Sequence, residues 1–172
     1  MNDFLKRPVC WITWEDHRRS REISCYLKAE YIVLHAKGFT GLSHILLALK
    51  TIIILWKKKH CTVIVQNPSR VLAAEASLFK VLFKYPLVVD RHTNFRIGKG
   101  FSLNPAIWFV IFCSRFSLWK ADFTIVTNKF LRSLVEKKGG RGFVLTDPLP
   151  SLGSSDNLYI EDERFKILFV CT

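Results

Sequence analysis

The chain has 172 residues, 49% of them hydrophobic and 23% charged, which is enough apolar material to bury a sizeable core. That balance excludes a disordered chain, a collagen and a small disulfide scaffold. Lys and Arg number 26 against 14 Asp and Glu, a net charge of +12, so phosphate-rich partners suit it: nucleic acid, nucleotide-linked substrates or an anionic leaflet. The charge is unevenly placed, because residues 1–141 carry 24 basic side chains against 9 acidic and residues 142–172 carry 2 against 5. Five cysteines at positions 10, 25, 61, 113 and 171 form no Cys-x-x-Cys pair and no zinc spacing. Scattered thiols of this kind read as reduced core residues of a cytosolic protein.

Short β-like runs alternate with helix-length segments along the chain. The runs are Val9–Thr13, Tyr31–His35, Thr62–Gln66, Leu87–Asp90, Phe123–Thr127 and Phe143–Leu145. They are continuously apolar rather than alternating, as expected of strands covered on both faces. The predicted fold is therefore α/β, a Rossmann-like, doubly wound and mostly parallel sheet of about six strands. Asn67-Pro68 and Asn104-Pro105 each read as an N-cap before a proline at the first helical position. Thr40 is a cap for the helix opening near Gly41, and Thr127 or Asn128 for the one that ends at Lys137-Lys138-Gly139-Gly140.

The N-terminus, Met1 to Arg7, is followed by a short apolar run and then Glu15 and Asp16, which does not read as a signal peptide. Gly41–Trp56 is interrupted by His44 and Lys50, and Phe101–Trp119 by Asn104-Pro105 and Arg115. Neither offers the uninterrupted apolar length of a spanning helix, so buried or interfacial helices are expected. After Pro150 the composition turns polar and acidic over Ser151–Arg164, a linker, before a strand-like Phe165–Cys171. The domain reading is thus 1–150 as one Rossmann-like domain, 151–164 as linker, and 165–172 as the first strand of a second domain.

In an open parallel sheet, ligands bind beyond the carboxyl ends of the strands. The residues that follow the apolar runs are therefore the candidates. Arg18, Arg19 and Arg21 open the first helix, where free N–H groups and the helix dipole favour anions and guanidinium forks add bidentate recognition. Asp16 and His17 are adjacent titratable groups in the same loop. Asp90-Arg91-His92 directly follows a buried strand, and a histidine there can bond a sugar hydroxyl or phosphate or transfer a proton. There is no Gly-x-Gly-x-x-Gly, no P-loop and no Gly-x-Ser-x-Gly elbow. Trp56-Lys57-Lys58-Lys59-His60 and Arg115-Phe116-Ser117-Leu118-Trp119-Lys120 pair cations with rings. They sit at helix ends rather than in a stripe, which favours a membrane surface over nucleic acid.

The series Val63-Ile64-Val65-Gln66-Asn67-Pro68, Leu87-Val88-Val89-Asp90-Arg91-His92-Thr93 and Ala121-Asp122-Phe123-Thr124-Ile125-Val126-Thr127-Asn128 resembles the N-terminal half of GT-B glycosyltransferases of the family 4-like group. The run Gly139–Pro150 fits the end of that half. The Gln-Asn-Pro and Asp-x-His segments are similar to the chitobiosyl-diphosphodolichol mannosyltransferase branch. The likeness covers about residues 9–150.

The resemblance implies the acceptor-side domain of an enzyme that moves a sugar from a nucleotide-sugar donor to a lipid-linked or polysaccharide acceptor, with no other cofactor and no metal. It implies a peripheral position at the cytoplasmic membrane face. By similarity, His92 stands against the donor sugar or phosphate, and Asn67 and Asn128 line the cleft between domains; from their places at the helix start and the strand end, Arg18, Arg19 and Asp90 are further candidate substrate contacts. His92, Asp16 and His17 are the candidate catalytic residues. The acidic donor-binding motif of the second GT-B domain does not occur in the 172 residues, so the expectation is half an enzyme, inactive without a partner chain that carries that domain. Two alternatives stand beside it: a non-catalytic, membrane-associated subunit of a two-chain transferase, and a basic nucleic-acid-binding domain.

Overall fold

The computed structural model describes residues 7–35, 41–67, 69–92 and 104–147. The linker and last strand read from the sequence at 151–172 lie outside the described residues, as does the Thr40 cap. Among the described residues six strands alternate with five helices: β1 (Val9–Thr13), α1 (Arg18–Tyr26), β2 (Glu30–Val33), α2 (Gly41–Lys57), β3 (Thr62–Gln66), α3 (Arg70–Phe83), β4 (Leu87–Asp90), α4 (Pro105–Lys120), β5 (Phe123–Val126), α5 (Lys129–Lys137) and β6 (Gly142–Val144). The strands form one sheet in the order β2-β1-β3-β4-β5-β6, and every pairing is parallel. The fold is α/β and Rossmann-like, and the strand order reverses between β1 and β3.

Continuous apolar runs are explained by cover on both faces, since successive side chains point to opposite sides. Cys10, Ile12, Val63, Val65, Leu87 and Val89 pack under Leu47 and Leu55 of α2 and Leu72, Ala73 and Ala76 of α3. Further along the same face, Val126 packs with Leu118 of α4 and Leu131 and Val135 of α5. The alternate residues Trp11, Ile64, Val88 and Ile125 bury against Ile23 of α1. Thus α1 covers one face and α2 to α5 the other, the arrangement that right-handed crossovers impose when the strand order reverses.

Helix ends follow their local chemistry, with one correction. Asn104 accepts from the Ala106 N–H at 2.9 Å, with Pro105 in the first turn, and Asn128 accepts from the Leu131 N–H at 2.8 Å. Asn67 does not cap α3. Ser69 does, accepting from the Leu72 N–H at 3.3 Å, because the Asn67 N–H still bonds the Asp90 carbonyl at 2.8 Å as an extension of the β3–β4 ladder. At the end of α5, Gly139 (φ +81°) takes the left-handed conformation. The Gly140 N–H bonds the Val135 carbonyl and the Gly139 N–H that of Glu136, a Schellman closure.

Cys10, Cys61 and Cys113 are buried, and burial pushes the Cys10 thiol up to about 12. Cys25 departs from the expected core position and is exposed on α1.

Candidate functional site

The parallel register aligns the carboxyl ends of the central strands. Gln66 pairs with Asp90 across β3 and β4, and Ile12 pairs with Val65 across β1 and β3. Strand alternation puts Thr13, Gln66 and Asp90 on the face that α1 covers. Thr13 Oγ1 lies 2.5 Å from Gln66 Oε1, spanning the point where the strand order reverses.

Arg19 comes to this row from the first turn of α1. Its Nη2 bonds Asp90 Oδ1 at 3.3 Å and the Leu145 carbonyl at 2.9 Å, and its Nη1 bonds Asp147 Oδ1. Asp90 is fully buried and Arg19 nearly so. One guanidinium thereby joins α1, the end of β4 and the loop after β6. The other two arginines of α1 also face carboxylates: Arg18 lies 3.8 Å from Glu22, one helical turn on, and Arg21 is paired with Asp16.

Asp16 and His17 turn to different partners. Asp16 accepts from Arg21 and, at 3.0 Å, from the Tyr31 hydroxyl, and these bonds hold its carboxyl below the ordinary range. Burial, then the bond to Asp16, pushes the Tyr31 phenol up to about 12. His17 is the N-cap residue of α1 but makes no side-chain cap bond. Its Nε2 is 3.0 Å from Glu15 Oε2.

The tertiary structure brings His17 and His92 together. Their rings meet edge to face with centroids 5.7 Å apart. His92 Nδ1 lies 3.6 Å from Asp90 Oδ2, close but beyond hydrogen-bond reach. Asp90 Oδ2, His92 Nδ1 and the neighbouring Gln66 Nε2 are buried polar atoms with no hydrogen-bond partner in the described chain. Buried polar groups left without a hydrogen bond each cost about 1–3 kcal/mol.

Asn67 sits beside this cluster but faces Arg91. With the amide turned so that its oxygen meets the guanidinium, that oxygen accepts from Nη2 at 2.7 Å and Nε at 2.9 Å. The opposite orientation would set donor against donor. Arg91 also donates to Ser114 Oγ at 2.9 Å, and burial, with the charge of Arg70, pushes its guanidinium down to about 10. Asn128 is exposed at the start of α5 and spends its oxygen on the cap.

Of the residues singled out from the sequence, the structure therefore gathers His17, Arg19, Asp90 and His92 at one rim, with Asn67 alongside. Arg18, Asp16 and Asn128 stand on the surface around it. The sequence reading did not single out Gln66, Thr13 or Asp147 as site residues. Their signal was position alone, each being the last residue of a strand or just past one. Among the described residues no group of three or more His, Cys, Asp or Glu side chains is placed to hold a metal ion, and no helix is long and apolar enough to cross a membrane.

The chain matches no protein-family model and no curated protein.

Proposed function

We propose that this chain is the acceptor-side half of an enzyme that transfers a sugar from a nucleotide-sugar donor to a lipid-linked or saccharide acceptor. The observation that carries this reading is the His92–Asp90 pair, a histidine 3.6 Å from a fully buried carboxylate, at the carboxyl rim beside the reversal of strand order. Sugar transfer requires a group that accepts the proton of the attacking hydroxyl and a cationic or dipolar surface for the departing diphosphate. His92, beside Asp90, is suited to the first task. The uncapped start of α1, with Arg18 on the surface, is suited to the second. In this reading the nucleotide is held largely by a second domain or partner chain, and the protein works peripherally at the cytoplasmic face of a membrane.

The test is incubation of the chain with membranes of its source and radiolabelled nucleotide sugars. Label is expected to enter an extractable lipid or saccharide fraction. His92→Ala is expected to lower that incorporation by about 10²-fold or more, the usual weight of a positioned acid or base. Equal incorporation by the variant in these membranes, or transfer by the purified chain with no other protein present, overturns the reading.

A further inference from the structure

The helix α4 is built inside out. Its buried side chains are Cys113, Ser114, Ser117 and Leu118, mostly small, and it packs against α3. Its large rings point outward instead: Trp108, Phe112 and Trp119 are 51%, 62% and 69% exposed. With Arg115 and Phe116 between them, they follow a spacing of four and three that keeps one stripe along a helix. Phe112 and Phe116 stack with centroids 5.7 Å apart, so the stripe is an ordered surface.

Cations frame the stripe. A groove of about 490 Å³ between α4 and α5 is lined, among the described residues, by Phe112, Arg115, Phe116, Trp119, Lys137 and Lys138, three rings and three cations. A second groove, of about 550 Å³, shares Trp119 and adds Lys84 and Lys120, with Asp122 there paired to Lys80 at 2.6 Å. Lys120 Nζ lies 4.1 Å from the centre of the Trp119 ring. Burial, and after it the like charges of Arg91 and Arg115, pushes the Lys138 ammonium down.

We propose that the α4 stripe and the α4–α5 groove form the docking surface for an anionic phospholipid bilayer. Phe112 and Trp119 enter the headgroup layer, and Arg115, Lys137 and Lys138 meet lipid phosphates. Exposed aromatic rings flanked by basic side chains are the composition of an interfacial helix, and Trp is enriched at that depth. A second copy of the chain is disfavoured because a two-fold contact would set like-charged grooves against each other. A nucleic acid is disfavoured because the cations do not track along the stripe as a backbone would require. The proposal rests on the peripheral placement argued above but not on sugar transfer, and its test contains no donor.

The experiment is flotation of the whole chain with vesicles of phosphatidylcholine alone and of equimolar phosphatidylcholine and phosphatidylglycerol. The wild type is expected to float with the mixed vesicles and not with phosphatidylcholine alone. Arg115→Ala with Lys137→Ala should lower the partition coefficient about 30-fold, at about 1 kcal/mol for each basic residue near an anionic leaflet. Phe112→Ala with Trp119→Ala should lower it by about tenfold or more. Tyr26→Ala, at a still more exposed ring on the opposite side of the sheet, should leave it unchanged. Quenching of tryptophan fluorescence by brominated lipid, reduced in Trp119→Phe, reads the same contact without depending on the multiple variants. The proposal is overturned by flotation that ignores both double variants, by a wild type that does not float, or by a lipid-free dimer that Phe112→Ala with Trp119→Ala turns to monomer.

Discussion

Arg19 Nη2 lies 3.3 Å from Asp90 Oδ1, and both side chains are buried. The pair joins the first helix to the fourth strand across the reversal of strand order. The same guanidinium reaches Asp147 and the Leu145 carbonyl beyond β6. Arg19 is thus the tie that holds the carboxylate lying 3.6 Å from His92.

Removing one partner of a buried pair leaves the other charge uncompensated, so Arg19→Ala is expected to lower unfolding free energy by about 3–5 kcal/mol. Asp147→Asn should cost about 1 kcal/mol or less, because that carboxylate is 59% exposed and water screens it. Urea unfolding of the two single variants and the double variant measures both terms. Equal losses for the two single variants would place the pair's energy at the surface instead.

Glu75 gives a pH dependence of definite sign. Both of its carboxylate oxygens are buried without a hydrogen-bond partner, and burial pushes its carboxyl up from 4.5 to about 8. Between those values the unfolded chain has released a proton that the folded chain retains, so this group's contribution to stability falls as pH rises through the window. Glu75→Gln is expected to raise Tm relative to wild type at pH 8 by at least about 3 °C, and to change it little at pH 4.5. Melting curves at the two pH values decide it.

Asn67 and Ser69 separate a cap from a clamp. Ser69→Ala should cost about 1 kcal/mol, the value of a lost N-cap. Asn67→Ala should cost about 3 kcal/mol, because it removes two bonds from the buried Arg91 guanidinium. Had Asn67 been the cap, the order of the two losses would be reversed in denaturant titrations.

Gly139 and Gly140 act by different means. Gly139→Ala is expected to cost about 1 kcal/mol through its positive φ alone, since nothing lies within 4 Å of an added Cβ. At Gly140 the added Cβ would stand 2.8 Å from Val135 Cγ1 and 3.3 Å from the Leu118 carbonyl, an overpacking worth about 1–3 kcal/mol. A thermal melt of each variant should show the larger loss at Gly140.

Local chemistry made much of the fold legible in the sequence. Apolar runs such as Thr62–Gln66 and Leu87–Asp90 coincide with β3 and β4, because a strand covered on both faces must be continuously hydrophobic. Asn104-Pro105 and the closing glycines of α5 were readable because a cap and a left-handed residue are decided within a few positions. Asn67 was misread for the complementary reason: its side chain answers to Arg91, 24 positions away. The same holds at the rim. The sequence by itself determined which titratable residues follow the strands, through the alternation of strand and crossover helix. Only the tertiary structure decided that Arg19 would hold Asp90, that His17 would meet His92 while Asp16 turned to Arg21, and that α4 would bury its serines and expose its rings. Those choices are made between elements, by parallel register and by the small side chains at the α3–α4 contact, and no local propensity encodes them.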